Sequence, residues 1–144
     1  RQRGRDGLRK GDLRSIQSAL ELYRSDNGSY PICSSAATSC VITTTNPPGF
    51  GGTYMASVPR DPLAGTSCAT TGPSAYIYAI SGSPPLRYTL YANLENGNDA
   101  DATKSKDVPS ASIGTLDSAP PINQYITLSA ICVNAIYNFW LNNP

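Results

Sequence analysis

The sequence has no histidine, and charged residues are scarce in it. Without histidine the chain lacks the usual general base and every Ser-His or Cys-His nucleophile arrangement, which excludes most hydrolase chemistry. Charged residues make up 15% of its 144 residues, against roughly 25% in typical soluble domains. The net charge of +1 supplies no bulk attraction for nucleic acid. We therefore expect no nucleic-acid partner.

Long hydrophobic runs are also missing. The apolar run at residues 76–80 is far shorter than the ~18 residues that a membrane span requires. No signal-peptide pattern opens the chain, which begins at Arg1 inside a helical pattern. We interpret this start as that of a processed or truncated product whose upstream hydrophobic segment is missing.

Motifs for catalysis and cofactor binding are absent as well. The sequence has no Gly-rich phosphate loop after a strand and no nucleophile elbow. A pair of carboxylates such as Asp61 and Glu95 could in principle cleave a glycosidic bond, although nothing in the pattern recommends them. We expect no enzymatic activity, no cofactor and no metal.

The four cysteines are Cys33, Cys40, Cys68 and Cys132. They form no CxxC pair, so a zinc site would need all four thiolates at irregular spacing. A short chain with few charges and four cysteines favours an oxidising compartment and two disulfides, for which three pairings exist. We predict Cys33–Cys40, which closes a small loop, and Cys68–Cys132. A Cys40–Cys68 link in mapped non-reduced peptides would contradict this assignment.

An amphipathic helix is predicted for residues 1–27. Leu13, Ile16, Leu20 and Tyr23 recur at the spacing of one helix face, and Gly28 with the later Pro31 is typical of a helix end. Residues 1–14 carry a net charge of +4, which leaves −3 for the rest. The sequence also places three glycines on one helix face, although each costs a helix roughly 1 kcal/mol relative to alanine; these are Gly4, Gly7 and Gly11.

The remainder of the chain indicates loops and strands. Residues 28–74 have loop composition with one short strand at 41–44, and residues 75–94 alternate as an antiparallel hairpin. A second loop spans 95–123, and residues 124–144 hold C-terminal strands at 125–133 and 136–141. The sequence therefore predicts a single α+β domain over residues 1–144, with the helix packed on a small antiparallel sheet and long loops tied by disulfides.

Several segments, in this order, resemble those of type IV pilins and of the major pseudopilins of type II secretion. The runs RDGLRKGDLRSIQSALELY at 5–23 and DNGSYP at 26–31 are similar to the exposed second half of the long N-terminal helix in that family. The run YMASVPRDP at 54–62 resembles the element that precedes the first strand of its sheet, and YIY at 76–78 and YTLYANLE at 88–95 resemble its paired strands.

This resemblance implies a structural subunit. Such a subunit polymerises with copies of itself into a cell-surface or periplasmic filament, with the help of an assembly machinery and a membrane-anchoring helix that this sequence lacks. We expect helix-to-helix stacking in which the basic residues 1–14 face acidic loops of neighbours. Reversing Arg9, Lys10 and Arg14 to glutamate should then impair assembly and leave the monomer fold intact. The alternative function is a minor pilin or adhesin that binds a ligand through its Tyr-, Ser-, Thr- and Gly-rich loops.

Two polar motifs have a functional and a structural interpretation. The loop at residues 96–101 is rich in oxygen ligands suited to calcium, and the resemblance makes Asp99 and Asp101 the candidate ligands. A polar turn explains the same residues, and it is the interpretation that we adopt. Asn27, Gly28 and Ser29 match a glycosylation signal, which the helix end also explains.

Overall fold

The computed structural model describes residues 1–36, 39–64, 76–96, 98–100, 103–104 and 137–142. Its single long helix, α1, runs over Gln2–Asn27. The helix ends because Gly28 takes the left-handed conformation, with φ of 77°, and its N–H donates to the carbonyl of Arg24 at 2.8 Å. That conformation is strained for other residues, which explains why glycine stands there.

Within the described residues, five antiparallel strands form one sheet. The strands are β1 (Ser39–Val41), β2 (Ile77–Gly82), β3 (Pro85–Asn93), β4 (Thr103–Lys104) and β5 (Tyr137–Asn142). Their order across the sheet is β1-β2-β3-β5-β4. The hairpin register pairs Tyr78 with Leu90 and Ile80 with Tyr88. The α+β class that the sequence predicts, a helix on a small antiparallel sheet, is confirmed.

The hydrophobic core lies between α1 and the sheet. Leu13, Ile16 and Leu20 of α1 have no exposed surface, and Tyr23 packs against the same core. The face of the hairpin toward α1 is aromatic and aliphatic, with Tyr78, Tyr88 and Leu90 fully buried. The helix stripe predicted from the spacing is therefore the core face of α1.

Two strand positions differ from the prediction. The short strand expected at 41–44 is β1, at Ser39–Val41. It ends early because the following residues close a local turn, in which the N–H of Thr43 donates to the carbonyl of Asn46 and the N–H of Asn46 donates to Thr43 Oγ1. Threonine side chains compete in this way with a strand ladder. The region expected to be a loop over 95–123 contains β4, which is only two residues long.

The disulfide Cys33–Cys40 is present, with the two Cα atoms 5.9 Å apart. It joins the segment after α1 to β1, as the short spacing predicts. Cys68 and Cys132 lie outside the described residues, as does the strand expected at 125–133, so the second disulfide remains a prediction.

Candidate functional site

Arg9 joins three segments of the chain that are far apart in sequence. Its guanidinium donates to both carboxylate oxygens of Asp61, at 2.8 and 3.1 Å, to Asp6 Oδ1 at 2.8 Å and to Glu95 Oε1 at 2.7 Å. The Arg9 side chain is only 2% exposed. Asp6 lies in α1. Asp61 begins the turn at residues 61–64, and Glu95 lies just after β3. We call Arg5, Asp6, Arg9, Asp61 and Glu95 the Arg9 cluster.

Asp6 fixes the backbone of the loop after β3. Its two carboxylate oxygens accept the backbone N–H groups of Glu95 and Asn96, both at 2.9 Å. Asp6 is fully buried. These two donors and Arg9 compensate its charge. Asp6 therefore holds the loop against the helix through the main chain as well as through charge.

The electrostatics of the cluster favour the ionised forms of Glu95 and Arg9. Hydrogen bonds from Arg5 and Arg9 outweigh burial and lower the pKa of Glu95 to about 2. Burial alone would lower the pKa of Arg9, but hydrogen bonds to Asp61 and Glu95 raise it above the ordinary arginine value. Glu95 and Arg9 are thus each held in the charged state that pairs with the other.

The predicted role of the basic residues is wrong for Arg9 and Lys10. Arg9 is buried in the cluster, and the Lys10 ammonium pairs with Asp99 within the same chain. The carboxylates that bind Arg9 and Lys10 all belong to this domain rather than to a neighbour. Arg14 is exposed, so of the three it alone keeps the expected position. Reversing all three charges would therefore disturb the monomer.

The sequence contains a signal for the cluster that our prediction overlooked. Asp6 and Arg9 extend the apolar stripe toward the helix start, because the positions 6, 9, 13, 16 and 20 alternate in steps of three and four. All five are buried. A charged pair at positions that continue a core stripe indicates buried partners elsewhere in the chain.

Asp61 and Glu95, the carboxylates considered for glycosidic cleavage, both bind the Arg9 guanidinium. General-acid catalysis needs a carboxyl whose pKa is raised toward neutrality. The pKa of Glu95 moves in the opposite direction, to about 2. The geometry thus gives these carboxylates the role of fixing α1 to two loops.

Acidification should weaken the fold through Glu95. The folded-state pKa of about 2 lies below the ordinary glutamate value of 4.5, so this contribution is complete above about pH 4.5 and is lost as the pH falls toward 2. We expect the urea midpoint to fall over this range, and to fall less steeply in Glu95→Gln. Equal slopes for the two proteins would contradict the assignment.

The proposed calcium loop contains an internal cation instead. Asp99 binds the Lys10 ammonium, and the N–H of Asp99 donates to the carbonyl of Asn96 at 3.1 Å. Asp101 lies outside the described residues. Within the parts of the chain that the structure describes, no group of three acidic or cysteine side chains is arranged for a metal ion.

Calcium removal should therefore change stability little. We expect EDTA to shift the melting temperature by less than about 5 °C, the size of a ~1 to 2 kcal/mol effect in a chain of this length. Differential scanning calorimetry with and without EDTA measures the shift. A larger fall, reversed by added calcium, would favour the metal-site interpretation of Asp99 and Asp101.

From Gly4 to Leu22, the helix face opposite the core carries no charged side chain. It carries two exposed leucines, Leu8 at 58% and Leu22 at 60%, separated by small residues. The hydroxyls of Ser15 and Ser18 donate to helix carbonyls one turn earlier, each at 3.1 Å. We call this set the outer face: Gly4, Leu8, Gly11, Ser15, Ser18 and Leu22, all exposed.

The outer face is unusual for a helix surface in contact with water. Exposed helix faces ordinarily carry charged and polar side chains. Here the positions 4, 8, 11, 15, 18 and 22 alternate in steps of four and three, the spacing of a second helix-packing seam. The helix thus has one seam toward the sheet and another toward the outside.

Asn27 of the glycosylation signal already has hydrogen-bond partners. Its side-chain amide donates to the carbonyl of Tyr23 at 2.9 Å and to the Tyr54 hydroxyl at 3.0 Å. These bonds tie the last turn of α1 to the loop at residues 50–55. The structural interpretation, a helix end, accounts for this residue.

An N-terminal helix packed on a small antiparallel sheet, with its charged start bound to the loop after the central hairpin, is a pilin-like α+β fold. The family described as type II secretion system (T2SS), protein G, matches residues 2–111. The chain therefore belongs to the family of type II secretion system protein G, the major pseudopilin. Searches of curated proteins and of solved structures gave no match.

Membership of this family makes the chain a component of type II secretion, a cell-envelope assembly. The family is structural rather than catalytic. In the part of the chain that the structure describes, no helix combines the length and the apolar character needed to cross a membrane.

Proposed function

We propose that the chain is the repeating subunit of a type II secretion pseudopilus, which polymerises with copies of itself in the cell envelope. The family match over residues 2–111 is the observation that carries this proposal. Assembly requires the secretion machinery and an upstream hydrophobic helix as membrane anchor. In this proposal the filament pushes secreted proteins outward, and the chain itself has no catalytic part.

The two seams of α1 support a subunit that is packed on both sides. The sheet already covers the inner seam, the face of α1 toward the core, since Leu13, Ile16 and Leu20 are fully buried. The outer face offers two leucine side chains, at positions 8 and 22, with small residues between them. A neighbouring helix shifted by seven residues, about 10 Å along the axis, would set Leu8 against Ser15 and Ser15 against Leu22.

The serine hydroxyls suit such contact. Because Ser15 and Ser18 donate to carbonyls of their own helix, covering them leaves no hydroxyl proton without an acceptor. We propose that the outer face is the surface along which α1 meets neighbouring subunits. This replaces the charge pairing that the sequence suggested for Arg9 and Lys10, both of which are engaged within the chain.

Filament assembly tests the proposal. The full-length gene product is expressed with a working type II secretion machinery, and sheared filaments are labelled with antibody against this domain. Label along the whole filament supports the proposal, and label confined to filament tips would favour the minor-pilin or adhesin alternative. A full-length protein that stays monomeric beside a functioning machinery would contradict polymerisation.

Charged substitutions locate the surface. Leu8→Arg with Leu22→Arg should abolish filaments, because two arginines would be buried at the seam without partners. Leu86→Arg is the matched control, since Leu86 is similarly exposed, at 49%, but lies on β3. Equal filament yields from the two proteins would rule out the outer face as the contact surface. Unchanged melting temperatures would show that both monomers remain folded.

A further inference from the structure

In the described part of the chain, the first three turns of α1 contribute no residue to the hydrophobic core cluster. From Gln2 to Asp12 the buried residues are the two charged ones, Asp6 and Arg9, and apolar burial begins at Leu13. Leu8, the one leucine in this stretch, is 58% exposed. The Arg9 cluster and the Lys10–Asp99 pair therefore hold this part of the helix, together with the hydrogen bond from the Tyr76 hydroxyl to Asp12.

The same three turns contain every glycine within α1: Gly4, Gly7 and Gly11. None of them is required by packing, because a Cβ added at each would meet no atom within 4 Å. None has the positive φ that would demand glycine. Each nevertheless weakens the helix relative to alanine. Residues 2–12 are thus intrinsically poor helix held by charge, whereas residues 13–27 are glycine-free helix held by the core.

We propose that residues 2–12 of α1 form a segment that undocks and unwinds independently of the rest of the domain, with the Arg9 cluster as its closure. In the closed state Arg9 joins the segment to Asp61 and Glu95, and Asp6 holds the backbone of the loop after β3. In the open state these groups reach water, and the core seam from Leu13 onward stays packed. The inference concerns the isolated domain and does not depend on filament assembly.

Opening is also favoured by how the cluster gains its stability. The attraction within a buried ion pair offsets its desolvation only while the pair keeps its geometry. Losing one partner therefore releases the others to solvent together. An apolar seam has no such dependence, because each buried side chain contributes through its own contacts. The part of α1 that charged groups hold ends at Asp12, and the part that apolar contacts hold begins at Leu13.

Hydrogen exchange followed by mass spectrometry tests the proposal on the domain as it stands. We expect the amides of residues 6–12 to exchange faster than those of residues 16–24 and of β2 and β3. Arg9→Gln should accelerate exchange in residues 6–12 and in the loop at 95–96, and in both proteins the exchange of residues 6–12 should depend far less on urea than that of the hairpin, because a local opening exposes less surface. The same opening free energy and the same urea dependence for residues 6–12 and for the hairpin would overturn the proposal, because the segment would then open only by global unfolding.

A second variant keeps the test independent of any folding defect in Arg9→Gln. Gly4→Ala, Gly7→Ala and Gly11→Ala together should slow exchange of residues 6–12 by about fivefold for each glycine, or about 100-fold in all. Ser25→Ala, in the exposed last turn of α1, is the control and should not affect residues 6–12. No slowing of residues 6–12 in the triple variant would overturn the proposal.

Discussion

Replacing Arg9 by glutamate should lower the free energy of unfolding by about 3 kcal/mol. Removing one partner from a buried ion pair typically costs about 3 to 5 kcal/mol, because the remaining charges are left buried without compensation. Here Asp6, Asp61 and Glu95 would face a fourth carboxylate. The lower end of the range is expected because the start of α1 can move away and let water reach these groups. Urea unfolding at pH 7 measures the change.

Arg14→Glu is the matched control for this charge reversal. Arg14 lies five residues further along the same helix and is exposed. Its reversal should change the free energy of unfolding by no more than about 0.5 kcal/mol. Similar losses in the two variants would show that net charge, rather than the buried contacts of Arg9, determines the result.

Leu20→Ala should cost about 3 kcal/mol, through lost burial and the cavity left between helix and sheet. Leu20 has no exposed surface and belongs to the core cluster that includes Tyr88. For a chain of this length the loss corresponds to a fall of about 6 to 12 °C in melting temperature. Calorimetry of the purified domain measures it.

Leu22→Ala provides the comparison within the same helix turn. Leu22 is 60% exposed, so its truncation should change stability by less than about 0.5 kcal/mol. If the outer face is the contact surface between subunits, this variant should nevertheless reduce filament yield. A large loss of monomer stability in Leu22→Ala would mean that the outer face has a covering within the domain.

The sequence predicts the helix and the hairpin well because their determinants are local. The spacing of Leu13, Ile16 and Leu20 specifies one face of α1, and Gly28 specifies where the helix ends. The alternation around Tyr78 and Tyr88 indicates paired strands, which the structure shows as β2 and β3. The bounds of β1 were less predictable, since strand and turn compete for the same threonines after Val41.

The Arg9 cluster was not predictable to the same degree, because its contacts span the fold. Asp61 and Glu95 stand 52 and 86 residues from Arg9, and no local pattern reports such distances. The run of positive charge at the chain start suggested contacts with acidic loops of neighbouring subunits. Only the positions of Asp6 and Arg9, which continue the spacing of the core stripe along the helix, distinguish these buried charges from surface charges.

The strand order has a consequence for the timing of folding during synthesis. β5 lies between β3 and β4 in the sheet, although it follows both in sequence. Among the strands that the structure describes, one edge of β3 has no partner and β4 has no neighbour until residues 137–142 become available. In the interval the exposed edge of β3 is a site where another chain could add a strand.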